Sequence, residues 1–282
     1  MATAATTTTA TLRHEPCRPV IGSRVLNSKE ELLSGELASH IRALLEERGV
    51  LAFPQVNFTD DEQIAFTRTL GTYTTEQADG TVSKITVNPK LNPDGAEYLK
   101  GSMYWHIDGT MNEVPILASL LACKQPAPKG TGNTGFANTY AAWEALPEER
   151  KADIGALRAI HGVWPTVFYY DPEPNTAKLK GMMGVGENEL PLVWKHQSGR
   201  KSLVLGCTTQ RIVGKEPKDG TLLIHELREW ATQEQFCYSH EWSKGDLVIW
   251  DNTGTMHRAE WYDPEGDRMM VRTKLQGEEP FE

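Results

Sequence analysis

The pattern of apolar and polar positions divides the chain into a helical first third and a strand-rich remainder. Ser28 offers a helix cap. Leu37, Ile41, Leu44 and Leu45 then recur at helical spacing as far as Arg48, where Gly49 ends the run. Residues 50–53 are a short apolar stretch closed by Pro54, the pattern of a strand. Thr59 and Glu62 are spaced as a capping box, with Ile64, Phe66 and Leu70 following before Gly71. Beyond that point residues 116–123, 202–206, 245–250 and 268–275 have strand length and composition. Helical spacing returns at 139–145 and 148–157, on either side of Pro147, and at 222–230, capped near Asp219. Strands edged by helices predict a mainly β fold with flanking helices, a sandwich or barrel under a helical cover.

Residues 164–190 follow neither period. A long irregular segment inside a compact domain is a functional loop or disorder. The density of Trp164, Phe168, Tyr169, Tyr170, Met182 and Met183 speaks against disorder. It suggests a lid over a pocket, with a packed surface loop as the alternative. Residues 1–12 open on a Thr/Ala tract without the basic and apolar regions of a secretory signal, and read as a disordered tail. With no repeat and no linker in sight, residues 13–282 are expected to form one domain carrying the insert near 164–190.

Composition narrows the class. A net charge of −9 disfavours nucleic acid or an anionic membrane as partner. No apolar run has the length of a membrane span. Cys17, Cys123, Cys207 and Cys237 are too scattered for a zinc knuckle or disulfide framework, and read as reduced thiols of a cytoplasmic protein. A small molecule is the expected partner.

The sharpest local feature is Trp105-His106-Ile107-Asp108. In extended chain, residues i and i+2 point to one side, so His106 and Asp108 aim an imidazole and a carboxylate at one place. His257, after a strand-like run that ends in turn residues, is the best third ligand. Two histidines and a carboxylate make the facial set of non-haem iron(II) oxygenases, which leaves positions for a bidentate 2-oxo acid and dioxygen. The other histidines (His14, His40, His161, His196, His225, His240) have no such partner and read as surface or satisfied core residues.

Eleven positions after His257 comes Arg268, and Arg272 follows four later. On a strand the two share a face with Met270, roughly 13 Å apart along the backbone. An inward guanidinium can grip a carboxylate with two parallel hydrogen bonds. One arginine would then anchor the far carboxylate of 2-oxoglutarate, and the second its near carboxylate or an anionic substrate. The alternative is a solvated sheet face.

Together these residues resemble the taurine and 2,4-D dioxygenase family of 2-oxoglutarate oxygenases. Its pattern is matched by Trp105-His106-Ile107-Asp108, the turn Gly130-Thr131-Gly132-Asn133-Thr134, Trp250-Asp251-Asn252 ahead of His257, and Arg268, across about residues 37–276. The resemblance implies a double-stranded β-helix (jelly roll). It implies Fe(II) on His106, Asp108 and His257, with 2-oxoglutarate and O2 as cosubstrates. Thr134 and Arg268 would bind the distal carboxylate, and Arg272 would lie near the cosubstrate or a substrate anion. The turn before Thr134 departs from the usual Gly-Gly-Asp-Thr, and Thr253 stands where Arg is common. The implied reaction is hydroxylation of a small organic substrate, an acid or a partly apolar metabolite, with C–O, C–N or C–S cleavage where the new hydroxyl is unstable. A dimer or tetramer is implied as well. Tyr104, Met111, Asn112, Phe168, Tyr169 and Tyr170 are candidates for the substrate pocket. Two competing classes are a zinc hydrolase on the same three ligands and a non-catalytic jelly-roll binding module.

Overall fold

The computed structural model describes residues 10–282. Its centre is an eight-stranded sheet. The order runs His14–Pro16, Ser23–Val25, Val50–Phe53, Leu247–Asp251, Ala118–Gln125, Met269–Leu275 and Tyr73–Thr74, with Ser83–Ile85 also on Met269–Leu275. A smaller sheet is made by Cys237–His240, Thr134–Asn138 and Thr255–Ala259. A third joins Thr209–Ile212, Arg158–Gly162 and Glu187–Pro191, and Val193–Lys195 pairs with Lys201–Leu203.

Strand alternation builds the layers. Leu51, Phe53, Leu120, Ala122, Leu247, Ile249 and Val271 leave one face of the large sheet and pack on Ile41, Leu45, Phe66 and Leu70 of the helices Ala38–Arg48 and Asp60–Leu70 and on the cap residue Leu37. Their neighbours Val50, Ala52, Leu121, Cys123, Val248, Trp250 and Met270 leave the other face and meet Phe136 of the smaller sheet. A one-residue slip in any of these strands would exchange the two sets. Behind the smaller sheet, Ala137 and Met256 pack on Leu223, Ile224 and Leu227 of the helix Pro217–Ala231. The whole is a mixed set of sheets covered by helices on both sides. Among the described residues no helix is long and apolar enough to cross a membrane.

The local reading of the first third is met. Ser28 and Thr59 both close capping boxes, the second through Glu62 N–H to Thr59 Oγ1 at 3.2 Å and Thr59 N–H to Glu62 Oε2 at 2.8 Å. The helical stretch after Ser28 is divided at Gly35, whose φ of +80° ends a short helix before Ala38–Arg48 begins. The last long helix starts at Pro217 rather than near Asp219, because proline's fixed φ and missing N–H suit the first helical position. Residues 164–190 are not the irregular loop the sequence suggests. They form a 3-10 helix Trp164–Tyr169, a helix Thr176–Met183 capped by Asn175, and the strand Glu187–Pro191. The helix buries none of its residues, so it lacks the one-sided apolar stripe that periodicity detects. Of the expected tail, residues 1–9 lie outside the described residues, while Ala10 and Leu12 pack on the core under the helices.

Two buried ionisable groups set opposite pH trends. His161 is fully buried, a core histidine with Nδ1 on Thr208 Oγ1 at 3.0 Å and no protein partner for Nε2 among the described residues. Burial pushes its imidazole down to about 4. Its contribution to stability is full above the unfolded value of about 6.5 and is lost as pH falls towards 4. Asp251 is also buried, and burial raises its carboxyl to about 6. Stability therefore falls as pH rises from about 4 through 6. Asp251→Asn keeps an acceptor for Thr253 and is expected to stabilise the protein at pH 8 by about 2 kcal/mol in denaturant unfolding, with little gain near pH 4. A loss of stability at pH 8 would contradict this.

Candidate metal centre

Main-chain pairing brings the two histidines together. His106 and His257 form an isolated antiparallel bridge, His106 N–H to His257 O at 3.0 Å and His257 N–H to His106 O at 2.9 Å. Ile107 turns into the core behind the smaller sheet, which sends His106 and Asp108 to the other side. Asp108 itself already enters a turn, with Gly109 at φ +83°. His106 Nε2 lies 3.5 Å from Asp108 Oδ1, and His257 Nε2 lies 3.7 Å from Oδ2. Among the described residues this trio is the one cluster of three or more His, Cys, Asp or Glu whose ligand atoms all lie within 4.8 Å of each other.

The surroundings suit a dication. His106 Nδ1 is 2.8 Å from Tyr104 O, so the ring donates there and keeps Nε2 as a lone-pair donor. Burial, then His106, push the His257 imidazole well below its ordinary value, so it is neutral as a ligand must be. Burial alone would raise Asp108, but His257, Arg272 and His106 together hold its carboxyl well below the usual range. Two imidazole nitrogens and a carboxylate gathered about one point fit iron(II).

An anion pocket adjoins. A cavity of about 50 Å³ is lined by His106 and His257 together with Thr134, Arg268 and Arg272, and by Ile85, Val87, Leu99 and Leu121 on its apolar side. Arg268 is 3% exposed. Its Nε donates to Gly132 O at 3.1 Å and its guanidinium lies 4.5 Å from the centre of the Tyr262 ring. Burial lowers its pKa, and among the described residues no carboxylate pairs with it. A buried guanidinium without a counter-ion is costly unless an anion completes it. Thr134 Oγ1 accepts from Trp242 Nε1 at 3.0 Å, which leaves the threonine hydroxyl hydrogen free for the cavity. Arg272 differs, since it is already paired with Asp108 Oδ2 at 3.3 Å and Glu76 Oε1 at 3.1 Å.

The glycine-rich turn has a steric reason. Gly132 has φ +66°, and a Cβ there would stand 2.7 Å from Ala127 Cβ and 3.1 Å from Arg268 Cδ and Nε. Gly132→Ala is expected to cost about 1–3 kcal/mol of stability and to weaken 2-oxoglutarate binding by about tenfold or more, through displacement of Arg268. Calorimetric titration checks it, and unchanged affinity would contradict it.

The candidate substrate residues lie elsewhere. None of Tyr104, Met111, Asn112, Phe168, Tyr169 and Tyr170 lines this cavity. Tyr104 packs tilted against Tyr169, ring centres 4.8 Å apart, and donates to Tyr169 O at 2.6 Å. Phe168 and Tyr169 are partly exposed on the 3-10 helix, and Arg228 reaches the Tyr169 hydroxyl at 2.7 Å. Tyr170 is covered by Lys178 at 4.8 Å. Sequence reasoning missed Leu99, Ser102, Leu121, Tyr262 and Glu76, which come from separate elements with no common motif. A separate depression of about 250 Å³, floored by Asp251, Tyr140 and His196, shares no lining residue with the metal cavity.

Comparison with known proteins shows the family. Residues 13–274 match the Taurine catabolism dioxygenase TauD, TfdA family. The chain is 32% identical over 249 residues to the (S)-phenoxypropionate/alpha-ketoglutarate-dioxygenase of Sphingobium herbicidovorans, covering 84% of this chain and 85% of that one. It is 31% identical over 279 residues to the alpha-ketoglutarate-dependent 2,4-dichlorophenoxyacetate dioxygenase of Cupriavidus pinatubonensis, covering 91% and 95%. The crystal structure of AAD-2 in complex with Mn(II) and N-oxalylglycine superimposes with a TM-score of 0.82 at 28% identity, covering 97% of this chain and all of that one. The chain thus belongs to the TauD/TfdA family and is an alpha-ketoglutarate-dependent dioxygenase, with Fe(II) as its metal and 2-oxoglutarate and O2 as cosubstrates.

Proposed function

We propose that this dioxygenase hydroxylates a small organic molecule at a centre built from His106, Asp108 and His257. The observation that carries the reading is Arg268, a buried guanidinium without a carboxylate partner that lines the same cavity as the two metal-site imidazoles. Arg268 takes the distal carboxylate of 2-oxoglutarate with the N–H groups that Gly132 leaves free, and the Thr134 hydroxyl donates beside it. Arg272 holds Asp108 ionised and in place, and meets an anion only where Glu76 yields. Ile85, Val87, Leu99 and Leu121 keep water from the reacting groups. Bound Fe(II) supplies the activation of O2 that couples decarboxylation of 2-oxoglutarate, giving succinate and CO2, to oxidation of a substrate C–H. A new hydroxyl next to O, N or S would lead on to cleavage. The two packed sheets under helical cover fit a double-stranded β-helix as the scaffold.

A hydrolytic zinc site gives Arg268 and Thr134 nothing to bind, which argues against that reading. The test is a panel of aryloxyalkanoic acids, sulfonates, sulfate esters and amino-acid derivatives, followed by succinate release and product mass. At least one member should give Fe(II)-dependent succinate and a product gaining one oxygen, or its cleavage products. Failure of every member, together with failure of the Fe(II) protein to bind 2-oxoglutarate, would overturn the proposal.

A further inference from the structure

We infer that Asn252 is a positioning residue for the metal carboxylate, a role that rests on the metal-site reading above. Asn252 is fully buried, one residue past the strand Leu247–Asp251. Its side-chain amide pairs with both main-chain groups of Asp108. Asp108 N–H donates to Oδ1 at 2.9 Å, and Nδ2 donates to Asp108 O at 2.6 Å. Nδ2 also donates to Ile116 O at 3.2 Å, and the Asn252 main-chain N–H goes to Leu117 O at 2.9 Å. One primary amide thus does for Asp108 what a neighbouring strand does for a residue inside a sheet.

The need for it is local. Regular pairing ends at the His106–His257 bridge, and Asp108 sits where the chain turns through Gly109. Without the amide, the Asp108 N–H and C=O would lose their partners, at about 1–3 kcal/mol each when buried. The carboxylate's own contacts, Ser119 Oγ at 3.3 Å and Arg272 at 3.3 Å, are longer than the bonds the amide makes to the Asp108 main chain. The clamp therefore fixes where Asp108 presents its oxygens before any metal arrives. It also ties the turn bearing Asp108 to the segment that leads into His257, adding to the His106–His257 bridge on the other side of Asp108.

Asn252→Ala removes both bonds. Asn252→Asp keeps the acceptor for Asp108 N–H but sets an oxygen against two carbonyls. Mn(II) affinity of the metal-free full chain is measured from the electron paramagnetic resonance of free Mn(II), at a temperature where near-ultraviolet dichroism shows each variant folded. Both variants should bind Mn(II) about tenfold or more weakly than wild type. A merely structural role would lower the melting temperature and leave the affinity of the folded protein unchanged. A second measurement needs no variant: the Asp108 amide of metal-free wild type should exchange slowly with solvent deuterium. Affinities within twofold of wild type would overturn the inference while the metal reading stands. If neither variant folds, fast exchange at Asp108 overturns it and slow exchange supports it. Absence of Mn(II) binding by wild type would remove the metal reading and this inference with it.

Discussion

Arg268→Ala is expected to raise the 2-oxoglutarate requirement by about 100-fold or more, since loss of one partner of a buried charge pair costs about 2–5 kcal/mol. Metal affinity should change little, because Arg268 bonds to Gly132 and Tyr262 and touches no candidate ligand. Stability separates this from general damage. In the ligand-free protein Arg268 is a buried cation without an anion, so its removal should not lower the melting point. Wild type, by contrast, should gain about 2.7 kcal/mol when 2-oxoglutarate is supplied at 100 times its Kd. The variant should lose that gain at the same concentration. Thermal unfolding with and without 2-oxoglutarate reads both effects. Equal loss of metal and cosubstrate binding would mean that Arg268 is structural.

Asp108→Ala should have the second large effect. It deletes the sole carboxylate among the three clustered donors and the partner of Arg272 NH1. Turnover should fall by about 1000-fold or more, corresponding to about 4 kcal/mol of lost transition-state stabilisation. The main-chain bonds to Asn252 survive the change, so the turn should keep its shape. Succinate release under saturating Fe(II), with circular dichroism as a folding control, tests it. A folded variant retaining a tenth of the wild-type rate would show that Asp108 does not hold the metal.

Much of this was legible in the sequence because it follows local rules. The cap at Ser28, the capping box at Thr59, the end of a helix at Gly49 and the alternation of Met269–Leu275 each rest on a few neighbouring residues. The meeting of His106, Asp108 and His257 was legible because an i, i+2 pair points one way even where the chain is about to turn, and because one remaining histidine has the right setting. The apolar wall was not legible, since Ile85, Leu99 and Leu121 meet only through the register of the large sheet and the packing of a short helical turn. Nor was the pairing of Arg272 with Glu76, which joins residues 196 positions apart. The regular elements within residues 164–190 were not legible either. Their order comes from a proline, an asparagine cap and ion pairs such as Lys178 with Asp171, none of which leaves a periodic apolar trace.

The most direct test of the centre is the visible spectrum under argon of the protein with Fe(II) and 2-oxoglutarate. Chelation of a 2-oxo acid at iron gives a weak metal-to-ligand charge-transfer band. Wild type should show the band, and His106→Ala, deprived of one imidazole, should not. A band of equal strength in both proteins, or none in wild type, would contradict the centre described.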